Sequence, residues 1–196
     1  MADAKMVMEL RSQTGAGIVD AKDALEEAGG DMQKAMEILK KKGAAKAAKK
    51  TSERTTSEGI VAAYIHHTKK LGAMVEVQSE SDFVARNEEF RQFADDIAMQ
   101  VAAIDPLYVS PETIPADVFE KQREIFKVEM EGENKPDEIK EKIIEGKLAK
   151  WFSEVCLLKQ PYFRDEDMTV EELLNEKIAK IGEKIVIARF ARYNMG

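Results

Sequence analysis

Ser81-Asp82-Phe83-Val84-Ala85-Arg86-Asn87-Glu88-Glu89-Phe90 is the stretch on which the reading of this chain turns. Before it, Leu71 to Ser79 is a run of apolar and β-branched residues that suits a strand. After it, Phe90, Phe93, Ala94, Ile97, Val101 and Ile104 recur at helical spacing, Asn87 is a good N-cap, and Glu88 and Glu89 favour a first turn. A strand therefore gives way to a long helix here, with an aromatic beside a carboxylate at the join. The corner admits two accounts. In one, Phe83 tucks under its own helix as a staple; in the other, Asp82 and Phe83 project toward a partner, the aromatic as an anchor and the acid as a competitor for polar contacts. The residues alone leave the two balanced.

Working outward, Ile60 to His67 is a second strand-like run, separated from Leu71 by Thr68-Lys69-Lys70, so a β-hairpin is expected. Both faces of the first run are apolar, which calls for cover on both sides. Lys184 to Tyr193 should join the hairpin as a third, antiparallel strand. Four helices are expected between them. The first ends at Pro106; the second carries Val118, Phe119, Ile125, Phe126 and Met130, and Gly132-Glu133-Asn134-Lys135 breaks the chain after it. The third has Ile139, Ile143, Ile144, Leu148, Trp151, Phe152 and Val155 on one face, and the last follows the capping box Thr169-Val170-Glu171-Glu172. The fold class is α+β, a three-stranded antiparallel sheet covered by about four helices.

Upstream, residues 1–43 read as a bundle of three short helices. Met6, Val7 and Leu10 begin it, and Thr14-Gly15-Ala16-Gly17 turns the chain. Ile18, Ala21, Leu25 and Ala28 then line a second helix; Asp31 caps a third, with Met32, Ala35, Met36 and Leu39 as its stripe and Gly43 past its end. The glycine pair is not a phosphate loop, because no strand precedes it and no Lys-Ser/Thr follows. Ile18 and Val19 beside it suit a docking surface. Residues 44–56 read as a basic linker and 57–196 as the core domain. From Lys40 to Arg54 seven basic residues stand against Glu53, a local net of +6. RNA could use that tract, but no aromatics interleave with the lysines, which favours a solvated linker.

Several function classes lose ground. The net charge of -7 argues against a surface built throughout for nucleic acid. Adjacent strand side chains point to opposite faces, so His66 and His67 are not expected to close on one metal ion. Cys156 stands alone, without a neighbouring histidine in sequence, and is expected to be inert within its chain. No Gly-x-Ser-x-Gly and no glycine-rich phosphate cradle occurs, so neither enzymatic chemistry nor a cofactor is expected. The start shows no signal-peptide pattern and no apolar run reaches membrane-spanning length, which points to a cytoplasmic, non-membrane protein.

Three separated segments then resemble the bacterial elongation factor Ts family. Leu10-Arg11, Thr14-Gly15-Ala16-Gly17, Asp20-Ala21-Lys22, Ala24-Leu25 and Gly30-Asp31 are similar to its N-terminal three-helix domain of the ubiquitin-associated type. Ser81-Asp82-Phe83-Val84 is similar to its Thr-Asp-Phe-Val signature, with Ser for Thr. Lys135-Pro136 through Glu145-Gly146-Lys147, with Gln160-Pro161-Tyr162, resembles its C-terminal core. The resemblance implies a guanine nucleotide exchange factor for elongation factor Tu, acting without covalent chemistry. It implies that Asp82 and Phe83, flanked by Ser81 and Val84, disturb the partner's magnesium site. It implies partner contacts by Arg11, Ile18, Val19 and Met8, with Val7 beside them. Long members carry two core subdomains, so this chain resembles a short form, for which the resemblance implies a homodimer. The competing reading is a non-enzymatic RNA- or protein-binding adaptor.

Overall fold

The computed structural model describes residues 3–133 and 135–196, and along the third helix it leaves the side chains of residues 44 and 46–53 undescribed. The basic character read onto Lys46, Lys49 and Lys50, and the break at Asn134, therefore lie outside the described residues.

The N-terminal helices are α1 (Ala4–Thr14), α2 (Ile18–Glu27) and α3 (Met32–Glu53). They form because each has one apolar stripe, and Val7, Leu10, Ala21, Ala24, Leu25, Ala35 and Leu39 bury together. Asp3 caps α1 by accepting from Lys5 N at 3.1 Å. Gly15 ends it in the left-handed region, φ 68°, where a side chain would be strained, and its N–H closes on Arg11 O at 2.8 Å. Asp31 caps α3 by accepting from Gln33 N and Lys34 N at 3.0 and 3.1 Å. Those bonds to the charged form, from Lys34 N first, hold its carboxyl below the usual range. Two expectations change. α3 does not stop before Gly43 but continues to Glu53, so the segment read as a linker begins inside a helix. Lys and Ala, both strong helix formers, surround that glycine and outweigh its cost. Ile18 is exposed rather than on the packed face of α2, where Ala24 takes the buried place.

β1 (Glu58–Ile65) and β2 (Leu71–Ser79) form the expected hairpin, and β5 (Ile185–Asn194) completes an antiparallel sheet in the order β1-β2-β5. Between β2 and β5 lie the one-turn α4 (Asp82–Ala85), α5 (Glu88–Ile104), α6 (Ala116–Glu131), α7 (Asp137–Val155), a small hairpin of β3 (Pro161–Tyr162) and β4 (Asp165–Thr169), and α8 (Val170–Ile181). Phe90, Phe93, Ala94, Ile97, Ala98, Val101 and Ala102 are buried along α5, whereas Ile104, its last residue, is exposed. α6 and α7 share a second core of Met130, Ile144 and Leu148 with Phe119, Phe126, Trp151 and Phe152 against it. Ile125 and Ile139, expected on packed faces, are exposed.

Two compact units emerge from this chain. One gathers Met1–Val61, Glu76–Ala94 and Glu172–Ile187; the other gathers Ala62–Val75, Asp95–Glu171 and Ala188–Gly196. In the second, β3 and β4 were not legible from periodicity, because β3 is two residues long and the pairing Pro161↔Thr169 and Tyr162↔Asp165 is irregular. The hairpin is held instead by a buried amide pair. Gln100 Nε2 donates to Gln160 Oε1 at 3.3 Å and to Pro161 O at 3.0 Å, and Gln100 Oε1 accepts from Phe163 N at 2.9 Å.

Candidate functional site

Ser79, the last residue of β2, is fully buried and its hydroxyl donates to Ser81 O at 3.0 Å. That bond turns the chain out of the sheet. Ser81 is extended, φ -125° and ψ 156°, and its Oγ accepts from Val84 N at 3.4 Å, so it is the N-cap of α4. One turn later Asn87 caps α5 by accepting from Glu89 N and Phe90 N at 2.8 and 3.4 Å. α4 and α5 thus meet at a capped step rather than as one helix, and Arg91 Nε ties the step by donating to Ala85 O at 3.3 Å.

The consequence is a sorted set of side chains. Val84 and Ala85 are buried, Ser81 spends its polar atoms inside the chain, and Phe83 stands 81% exposed. The staple account therefore does not hold, because a staple is covered by its own helix and Phe83 is not. Asp82 is partly exposed and pairs with Arg86 across one turn, Oδ2 to Nη2 at 2.9 Å. An ion pair this exposed is worth well under about 1 kcal/mol, so a partner can draw the acid away at little cost. Beside the step, Glu89 accepts from Lys177 and Lys180 of α8, each at 2.8 Å. Burial pushes its carboxyl up, but the two lysine bonds outweigh that and hold it below the usual range.

Of the N-terminal candidates, Val19 is 70% exposed, and Met8, Arg11 and Ile18 also face solvent. Val7 is a core residue, which removes it from any contact surface. Met8 and Arg11 lie one turn apart on α1, and Ile18 and Val19 open α2 just after the Gly15-to-Gly17 turn.

The remaining chemical candidates are placed as follows. The expectation that His66 and His67 sit on opposite strand faces is overturned: β1 ends at Ile65, both residues lie in the turn, and their rings are 4.1 Å apart. Tyr64 Oη lies 3.0 Å from His66 Nδ1. Among the described residues no three His, Cys, Asp or Glu side chains are grouped to hold a metal ion, and no helix is long and apolar enough to cross a membrane. Cys156 is fully buried, and burial first, then Glu112, pushes its thiol up to about 11. The thiolate is the reacting form, so Cys156 should resist a disulfide-exchange reagent at neutral pH until the protein unfolds. Rapid thiol titration of the native chain would contradict this. Sequence reasoning missed Gln100 and Glu183, because neither belongs to a motif and both act through backbone groups far away in sequence.

Comparison with known proteins adds the following. The chain matches the family model described as elongation factor TS over residues 23–196. It is 54% identical to elongation factor Ts of Carboxydothermus hydrogenoformans over 196 residues, all of this chain and 90% of that protein. It is 51% identical to elongation factor Ts of Thermosipho melanesiensis, over the full length of both. It is 52% identical to that of Desulforamulus reducens over 193 residues, 98% of this chain and 88% of that one. Met8, Arg11, Ile18 and Val19 precede the family-model match but fall within the first two of these alignments, which take in every residue of this chain.

Proposed function

The chain belongs to the elongation factor Ts family, and from that premise we propose that it is a cytoplasmic guanine nucleotide exchange factor that promotes GDP release from elongation factor Tu. The observation that carries the reading is the exposure of Phe83 on a one-turn helix whose neighbours are anchored in the core. A large aromatic costs water contact unless a partner covers it, and a rigid base lets that burial do work on the partner.

In this reading Phe83 enters between elements of the GTPase while Asp82 leaves Arg86 to compete for the partner's polar groups. Magnesium in nucleotide sites is held by phosphate oxygens and few protein groups, so a small shift of those groups loosens metal and nucleotide together. No covalent step is needed. Linkage makes the effect reciprocal: the factor by which this protein weakens GDP binding is the factor by which GDP weakens its own. Residues 1–43, as a ubiquitin-associated-like domain, supply a second grip through Met8, Arg11, Ile18 and Val19. Residues 44–56 join it to the core, 57–196.

A second copy of the chain completes the assembly. On the outer face of the sheet Ile65 and Met74 are exposed, and Ile65 lies over Gly72, where an added Cβ would come within 2.6 Å of Ile65 Cδ1. Such a bare apolar face favours burial against its own kind. Sedimentation at micromolar concentration should therefore give twice the chain mass of 22.0 kDa, and a monomer would remove the dimer from the proposal. The exchange function itself is tested by stopped-flow release of labelled GDP from elongation factor Tu. Addition of this protein should accelerate release, and an unchanged rate overturns the reading.

A further inference from the structure

Two residues before Phe83, Ser81 is bonded to a residue 102 positions away. α8 ends at Ile181, and Gly182, at φ 88°, reverses the chain with its N–H on Ile178 O at 3.0 Å. This turn brings Glu183 back against the start of α4. Its carboxylate accepts twice from one residue: from Ser81 N at 3.1 Å and from Ser81 Oγ at 2.7 Å. The lacing is reciprocal, because the next residue, Lys184, donates its N–H to Glu80, which precedes Ser81. Glu80 is itself forked by Arg54 Nη1 at 3.0 and 3.1 Å.

The two bonds to Glu183 do more than hold the strand end. A serine hydroxyl rotates freely, and it caps a helix only when its proton is directed elsewhere. Glu183 Oε1 takes that proton, which leaves a lone pair of Ser81 Oγ aimed at Val84 N. The cap sets the first turn of α4, and α4 carries Phe83. We propose that Glu183 is a positioning residue for nucleotide exchange: it fixes Ser81, and through that cap it fixes the angle at which Phe83 is presented to the GTPase. This rests on the reading of Phe83 as the partner-facing wedge.

Glu183→Gln keeps size and shape but cannot accept both hydrogens with two carboxylate oxygens. It should slow stimulated GDP release from elongation factor Tu on the order of tenfold, the size of a coupling of about 1.4 kcal/mol. Ser81→Ala, which deletes the hydroxyl alone, should give a similar loss, and the two changes together should be no worse than either. A merely structural role would not show the decisive behaviour: in a Phe83→Ala background, Glu183→Gln should add nothing. A native release rate for Glu183→Gln overturns the proposal, and so does an equal slowing with and without Phe83. If Phe83→Ala alone releases GDP at the native rate, the wedge reading fails first and takes this one with it. Thermal unfolding of each variant separates lost folding from lost positioning, and if Glu183→Gln does not fold, Ser81→Ala carries the same comparison.

Discussion

Phe83→Ala should slow stimulated GDP release from elongation factor Tu by about 30-fold or more while leaving the protein as stable as before. The first half follows from what an exposed aromatic anchor is worth when a partner buries it, roughly 2 kcal/mol or more. The second half follows from the structure. Phe83 is 81% exposed, so its removal opens no cavity and should change folding by no more than about 0.5 kcal/mol. The pair of outcomes is diagnostic. A staple would lose stability and keep exchange; a wedge does the reverse. Stopped-flow release and thermal unfolding on the same sample decide between them, and a native release rate for the variant would end the wedge account.

Gln100→Met should be the opposite kind of change, severe for folding and indirect for function. The side chain is fully buried, and it satisfies Gln160 Oε1, Pro161 O and Phe163 N at once. Methionine fills the space but bonds none of them, so two backbone groups and one amide oxygen are left without their partner. At about 1–3 kcal/mol for each buried group left unpaired, with some relief from water, a loss of roughly 3 kcal/mol is expected. For a chain of this size that is about 6–12 °C in Tm. The loss should localise: hydrogen exchange should quicken at Phe163 and across β3 and β4 before it does in α1 to α3. An unaltered Tm would mean that the amide pair is dispensable to the hairpin.

The long helices, the hairpin of β1 and β2 and the strand β5 were legible because each has a period that one-dimensional pattern can carry: apolar residues every three to four positions, or β-branched runs bounded by turn residues. The caps at Asp31 and Asn87 were legible because capping is chemistry between near neighbours. What failed were readings that depend on how far a pattern continues or on which way its end points. α3 ran through Gly43, β1 stopped short of His66, and Ile104, Ile125 and Ile139 emerged on the outside of helices that bury Val101, Met130 and Ile144. Periodicity gives a stripe its angle but not its width, and the width depends on what packs against it.

The same division runs through the candidate site. That a helix starts near Asn87, and that Asp82 and Phe83 stand at its approach, belongs to the local sequence, since neighbouring residues dictate a strand, a cap and a turn. Whether Phe83 faces the core or the solvent does not: the residues allowed both. Tertiary structure decided it. Ser79 and Val84 are drawn inward, Glu183 reaches Ser81 from the far end of the chain, and Phe83 stands exposed. A side chain's direction is set by the bonds its neighbours make across the fold, and no period in the sequence records a bond between residues 81 and 183.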